Sequence, residues 1–290
     1  MRDIIHIGYP RTASTWFQNN LFPKVQNYTF IPRKIIQESL IHPLPLKYNR
    51  DWPKEQTGIN GPFLLSEEMI TGKIRAGSVN LHFLEFYANR LKETFNDPVV
   101  IIFLRSQPDS IFSFYNLYIR KGGTYSFSGF LRQDIHLQES LLFSKAYFCY
   151  DIPLQILTNT FGREAVRIYF YEEFSSDPKV FVERFLKELN LEADLNDCSY
   201  SRINSGYSPF RLGIKRFTNR FTSRGVPFKH YFFTIPHAYN FIAKGSSMRN
   251  KVPAGCLKQM DVFFNEFAAS NTKLITDYKL NTIKELNYPL

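Results

Sequence analysis

The sequence predicts an α/β fold of three layers: a central, mainly parallel sheet between helices, with a helical C-terminal part. Three observations predict it. Residues 3–9, 63–66, 99–104 and 166–171 are short apolar, β-branched or aromatic runs, as expected of strands buried on both faces. Helical periodicity separates these runs, and alternation of that kind builds parallel sheets. The last third has no clear strand and is rich in helix-length amphipathic stretches. A chain of 290 residues, 44% hydrophobic and 21% charged, suits one globular domain spanning 1–290.

The elements follow in order. Strand 3–9 (DIIHIGY) opens the chain and runs into the loop YPRTAST. Strand 63–66 (FLLS) delivers Ser66-Glu67-Glu68 to the same sheet edge. Residues 80–94 place Leu81, Leu84, Tyr87, Ala88 and Leu91 at helical spacing. Strand 99–104 ends at Arg105. Ser106-Gln107-Pro108-Asp109 then reads as an N-cap box with proline in the first turn, starting a helix to residue 120 with Ile111, Phe112, Tyr115 and Tyr118 inward. Strand 166–171 is followed by helix 180–189, with Val182, Phe185 and Leu186. The C-terminal part holds its best helix at 257–278, with Met260, Phe263, Phe264, Phe267 and Leu274.

Cys149, Cys198 and Cys256 are odd in number, far apart and without metal-ligand spacing. They read as reduced intracellular thiols. With no signal-peptide core at the N-terminus and no run of 18 apolar residues, the expected location is the cytoplasm.

The loop at residues 8–16 (GYPRTASTW) has the outline of a phosphate cradle, in which backbone N–H groups and a helix N-terminus converge on an anion. A triphosphate-binding loop of the form GxxxxGK[ST] carries lysine where this chain has Ser14. A cation sits instead inside the loop, at Arg11, among the hydroxyls of Thr12, Ser14 and Thr15. That suits a compact dianion or a phospho-sulfo anhydride without a required metal.

These residues resemble the 5′-phosphosulfate loop of sulfotransferases that use 3′-phosphoadenosine 5′-phosphosulfate (PAPS), and bacterial and carbohydrate-type members in particular. The resemblance implies a P-loop-NTPase-like fold and PAPS as co-substrate. It gives Arg11 the catalytic cation's place, and makes Thr12, Ser14 and Thr15 anion ligands. Trp16 matches an aromatic that lies against adenine. Ala13 stands where the family usually has glycine, and its methyl asks for a helical or β backbone rather than positive φ.

PAPS carries a second anion, its 3′-phosphate. Arg105 at a strand end and Ser113 eight residues on resemble the family's 3′-phosphate motif, and a planar guanidinium suits two phosphate oxygens. Ser110 shares the helix face of Ser113. Tyr171, in YFYEEF, matches a position approaching the adenine, while Glu172 and Glu173 read as helix-start acids. Asn204 and Ser205 resemble part of a loop that closes over the nucleotide.

Transfer also needs a base for the acceptor hydroxyl. In the bacterial and carbohydrate-type register Glu68 matches the usual base and Glu67 the variable residue, and adjacent carboxylates drive one pKa upward. Either glutamate would otherwise cap the next helix. The alternatives Glu67 and His82 stay open, although His82 lies among apolar neighbours. His6 reads as packing, and His42, His136, His230 and His237 have no motif around them.

The net charge of +10 is concentrated. Residues 198–260 contain no acid and eleven basic residues, leaving 25 basic against 26 acidic residues elsewhere. After Ser208-Pro209, Phe210, Ile214, Phe217 and Phe221 fall on one helical face, and Arg216, Arg220 and Arg224 on another. A stripe of like charges at four-residue spacing suits an anionic partner. That partner is the nucleotide, an acidic saccharide or glycolipid acceptor, or the inner face of a membrane. No nucleic-acid reader is present. Two rival functions remain: a P-loop small-molecule kinase, and a non-catalytic polyanion- or membrane-surface module.

Overall fold

The computed structural model describes residues 1–72, 81, 83–132, 142–196, 198–201, 207–221 and 251–290. They belong to two compact units. The first comprises Met1–Gly72, Leu81–Arg105 and Ile152–Ile203; the second comprises Lys73–Asn80, Ser106–Asp151 and Asn204–Leu290.

The first unit is built on a five-stranded, all-parallel sheet. Its strands are β1 (Ile4–His6), β2 (Thr29–Phe30), β3 (Phe63–Ser66), β4 (Val99–Leu104) and β5 (Val166–Phe170), in the order β2-β3-β1-β4-β5. The central strands are buried, their mostly apolar sequences including two buried polar residues, His6 and Ser66. β2 is the element that sequence inspection missed: a two-residue edge strand is too short to show a period. Its partner helices are short α1 (Ser14–Trp16), α2 (Arg33–Ile36) and α3 (Trp52–Thr57), then α4 (Leu84–Thr94). The helix expected over 80–94 begins at Leu84; residues 80 and 82 lie outside the described set. On one side Phe17, Phe22, Phe103, Tyr169, Phe181 and Phe185 form a continuous aromatic core, with Phe17 and Phe103 centroids 4.8 Å apart.

In the second unit, α5 (Gln107–Arg120), α6 (Phe127–Leu131), α10 (Pro209–Thr218) and α11 (Ala254–Tyr278) pack together. The first unit also holds α8 (Tyr171–Ser176), α9 (Pro178–Glu188) and all but the first residue of α7 (Asp151–Phe161). Gln107 Nε2 donates to Asn271 Oδ1 at 2.7 Å, linking α5 to α11 through buried amides. Ser106 occupies the N-cap position of α5, but its hydroxyl makes no capping bond and donates instead to the Asn287 carbonyl at 3.1 Å. Ser208 does cap α10, accepting from Arg211 N at 3.4 Å.

The orientation of α10 inverts its apolar pattern. Leu212 and Lys215 are its buried residues, whereas Phe210, Ile214 and Phe217 are 78%, 39% and 58% exposed. Asn219, just beyond the helix, donates to the carbonyls of Ile119 and Gly123 at 2.7 and 2.8 Å. Arg216 hydrogen-bonds the Tyr115 hydroxyl. Arg224 and most of the acid-free segment lie outside the described residues.

Candidate active site

Register alone brings three loops to one sheet edge. β1 and β3 run parallel with His6 opposite Ser66, and the ladder continues as Glu67 N donates to the His6 carbonyl at 3.0 Å. Two residues further on, Gly8 and Glu68 therefore face each other. β4 and β5 align Leu104 with Phe170, so Arg105 and Tyr171 emerge as neighbours. The C-terminal edge of a parallel sheet is where such folds bind ligands.

The opening loop is held in a tight, left-handed path. Gly8, Arg11 and Ala13 have φ of 59°, 72° and 67°. At Gly8 a β-carbon would come within 2.8 Å of Ser14 Oγ and 3.2 Å of Glu68 Cβ, so only glycine fits. Ala13 overturns the expectation of a helical or β backbone. It adopts the glycine-like conformation that the loop requires, at a cost of roughly 1–2 kcal/mol for an L-residue. The Ala13 carbonyl then accepts from Trp16 N at 2.7 Å and Phe17 N at 3.2 Å, starting the helical run.

Side chains alternate along the loop. Arg11, Ala13 and Thr15 are half-buried, whereas Thr12, Ser14 and Trp16 are buried. The Thr12 hydroxyl donates to the Tyr9 carbonyl and accepts from Tyr9 N at 3.4 Å, so it shapes the loop from within. The Trp16 ring lies against Phe174, centroids 4.9 Å apart, and stacks on Tyr200 at 5.8 Å. Its indole N–H donates to the Ser199 carbonyl at 2.8 Å.

Arg105 meets this loop directly. Its Nη1 donates to the Arg11 carbonyl at 3.1 Å, and its guanidinium carbon stands 4.5 Å from the Tyr171 ring centroid, within cation–π range. Tyr171 opens α8, whose first turn holds Glu172 and Glu173. Glu173 pairs with Arg184 at 2.7 Å. Ser113 lies half-buried on α5 in the second unit, with Ser110 buried three residues before it.

The adjacent glutamates have different environments. Glu67 is fully buried and accepts four hydrogen bonds, from Arg33 Nε and Nη2 (both 2.9 Å), Gln37 Nε2 (2.8 Å) and Met69 N (2.9 Å). The last of these caps the 3-10 turn at Glu68–Thr71. Four bonds fill a carboxylate's acceptor sites, so Glu67 is structural. Glu68 accepts a long bond from Arg33 Nη2, 3.4 Å, and lies beside the Ser14 hydroxyl; its side chain is 19% exposed. Burial pushes its pKa up, and the Glu67 charge adds to this. Arg33, Arg11 and the Ser14 hydroxyl pull the other way without cancelling the rise. A carboxylate whose pKa is raised by burial is the kind of group that general-base chemistry uses near neutrality.

A sulfotransferase from Alicyclobacillus acidocaldarius superposes with a TM-score of 0.52 and 20% identity, over 75% of this chain and 91% of that one. The chain has the fold of a sulfotransferase. Two further likenesses are more distant. Mouse sulfotransferase SULT7A1 complexed with PAP gives a TM-score of 0.42 at 13% identity, over 91% of this chain and 84% of that one. The sulfotransferase domain from the curacin biosynthetic pathway gives 0.38 at 11%, over 91% and 98%. At those scores neither bears on the fold. No family model and no curated protein matches the sequence.

On this sulfotransferase fold, the loop, Arg105, Tyr171 and Glu68 come from strands β1, β4, β5 and β3 of one unit. Sequence inspection missed Arg33 and Gln37. Both sit in and just after α2, behind the unrecognised β2, and an isolated RKIIQ carries no motif. His6, expected as packing, is buried among Phe17, Phe22 and Phe103. Its Nδ1 hydrogen-bonds Ser66 Oγ at 2.7 Å, and burial lowers its pKa to about 3. His82, Asn204 and Ser205 lie outside the described residues. No group of three or more His, Cys, Asp or Glu among the described residues is arranged to hold a metal ion.

Proposed function

We propose that this protein transfers a sulfuryl group from PAPS to a hydroxyl or amine acceptor, by in-line displacement with Glu68 as base. The observation that carries the reading is the placement of Glu68 against the anion loop: a β-carbon at Gly8 would stand 3.2 Å from Glu68 Cβ and 2.8 Å from Ser14 Oγ, so carboxylate and loop share one sheet edge. Arg11 stabilises charge growing on the leaving bridge oxygen. Its pKa makes it a donor of charge, never the base.

Other residues divide the donor between them. Thr12, Ala13, Ser14 and Thr15 offer the loop backbone to the 5′-phosphosulfate, with the Thr15 hydroxyl beside it. Trp16 and Tyr171 belong to the adenine side. Arg105 and Ser113 serve the 3′-phosphate. Charge comes from arginine throughout, so the reading asks for no metal. The acceptor class we favour is a saccharide or glycolipid, acidic enough to complement the basic C-terminal segment.

No helix among the described residues is long and apolar enough to cross a membrane. Peripheral contact through residues 208–251 at the inner membrane face fits the outward aromatic side of α10 and a cytoplasmic location.

The deciding experiment is transfer of labelled sulfate from PAPS to a panel of glycans, glycolipids and phenols. Product with any acceptor supports the reading. A larger melting-temperature shift with ATP and Mg²⁺ than with 3′-phosphoadenosine 5′-phosphate would favour a kinase instead. Acceptor binding untouched by Arg11→Ala, with no turnover, would favour a binding module.

A further inference from the structure

We propose that Arg33 is a positioning residue for sulfuryl transfer: it locks Glu67 into a buried two-pronged pair and thereby presents Glu68 alone to the anion loop. The inference rests on the sulfotransferase reading.

Arg33 opens α2 directly after β2, next to β3 in the sheet. Its Nε and Nη2 each reach one oxygen of Glu67 at 2.9 Å. The same Nη2 also donates to Glu68 Oε1, at a longer 3.4 Å. One guanidinium thus treats the two carboxylates unequally. It holds Glu67 with two short bonds and Glu68 with one long bond. Gln37 and the Met69 N–H complete the Glu67 shell, so Glu67 has no acceptor site left for a proton or an acceptor hydroxyl. Arg33 itself is 39% exposed in its side chain, so the clamp is open to substitution from the solvent side.

Loss of Arg33 has two effects of known sign. It leaves Glu67 buried without its cation, and it removes a positive field from Glu68. Among the described residues, the charged groups facing Glu68 are Arg33 from α2, Glu67 beside it and Arg11 from the opening loop, with the Ser14 hydroxyl of α1. Tyr87 of α4 faces Glu67. Arg33 and Glu67 act on Glu68 in opposite senses.

The test is the pH profile of kcat/KM for Arg33→Gln, Arg33→Lys, Glu67→Gln and the double variant Arg33→Gln/Glu67→Gln. In parallel, the Glu68 carboxyl is titrated by 13C NMR, assigned through Glu68→Gln. With a deprotonated Glu68 as base, Arg33→Gln should move the acidic limb upward by about one pH unit. Arg33→Lys should restore most of it. The double variant should move up relative to Glu67→Gln, a comparison that leaves no buried charge behind and survives if Arg33→Gln does not fold. Binding of 3′-phosphoadenosine 5′-phosphate should stay within about twofold of the parent.

An equal loss of rate at every pH, with the limb and the Glu68 titration unmoved, would overturn the proposal. A titration that moves in a protein with no turnover from PAPS would overturn the sulfotransferase reading while leaving the coupling of Arg33 to Glu68 intact.

Discussion

Arg105 Nη1 donates to the carbonyl of Arg11 at 3.1 Å. The two residues assigned to opposite ends of the donor are therefore joined, guanidinium to backbone carbonyl. Arg105 supports the loop that Arg11 belongs to, and Tyr171 braces it from the other side at 4.5 Å. Arg105→Ala should weaken binding of 3′-phosphoadenosine 5′-phosphate by about 1.5–3 kcal/mol, the worth of a charged hydrogen bond. It should also speed amide exchange across residues 8–15. Arg105→Lys should recover little, because an ammonium cannot both stack on Tyr171 and keep the fork. Calorimetry and hydrogen exchange read the two effects separately.

The loop's backbone gives a pair of opposite outcomes. Gly8→Ala forces a methyl against Ser14 and Glu68 at positive φ. It should cost about 1–3 kcal/mol of stability and most of the turnover. Ala13→Gly removes the left-handed penalty at φ 67° and should stabilise the protein by up to about 1 kcal/mol. Urea unfolding of the two variants should move the midpoint in opposite directions.

Glu68→Gln should separate activity from stability. Turnover should fall by about 10²–10⁴ if the base is lost, with nucleotide binding retained. The Glu68 pKa lies above its ordinary 4.5 in the folded protein, so the fold prefers the proton. Wild-type stability is therefore penalised as pH rises through 4.5 and beyond. Glu68→Gln should melt higher than wild type at neutral pH, and the gap should close below about pH 4. A variant that melts lower at pH 7 would show that Arg33, Arg11 and Ser14 outweigh burial.

His6 has the reverse linkage. Its pKa drops from 6.5 to about 3 on folding, so the unfolded chain takes up the proton first. Stability conferred by neutral His6 is complete above pH 6.5 and drains away as pH falls toward 3, by about 1.4 kcal/mol per pH unit. His6→Asn, which keeps a partner for Ser66 without titrating, should flatten this slope in unfolding experiments between pH 6.5 and 4.

The exposed rings of α10 make the membrane part of the reading testable. Phe210, Ile214 and Phe217 face outward, beside an exposed Arg211. The protein should sediment with vesicles containing anionic lipid and not with neutral ones. The double substitution Phe210→Ser/Phe217→Ser should reduce that binding at least tenfold and leave soluble-acceptor turnover unchanged.

Much of this was legible in the residues themselves. The four long strands could be read from their apolar runs because a strand buried on both faces has no alternation to disguise it. α5, α9 and α11 could be read from period, and α10 from its Ser-Pro start. β2 could not, since two edge residues carry no pattern. The direction in which α10 faces could not be read either. A helical wheel shows that a face is apolar, not which side the packing of Leu212, Lys215 and Asn219 will turn inward.

By itself the sequence determined which chemical groups lie at the ends of which strands: Arg11, Ser66-Glu67-Glu68, Arg105 and Tyr171. Strand order and register were enough to gather them at one edge, because parallel strands all end on the same side. Only the tertiary structure decided how two adjacent glutamates differ. That depended on Arg33, a residue 34 positions away from Glu67 in the chain, arriving just after an unrecognised strand to grip one carboxylate at 2.9 Å and reach the other only at 3.4 Å. Neighbours in sequence share a backbone, but their ionisation is set by what the fold brings within a few ångströms.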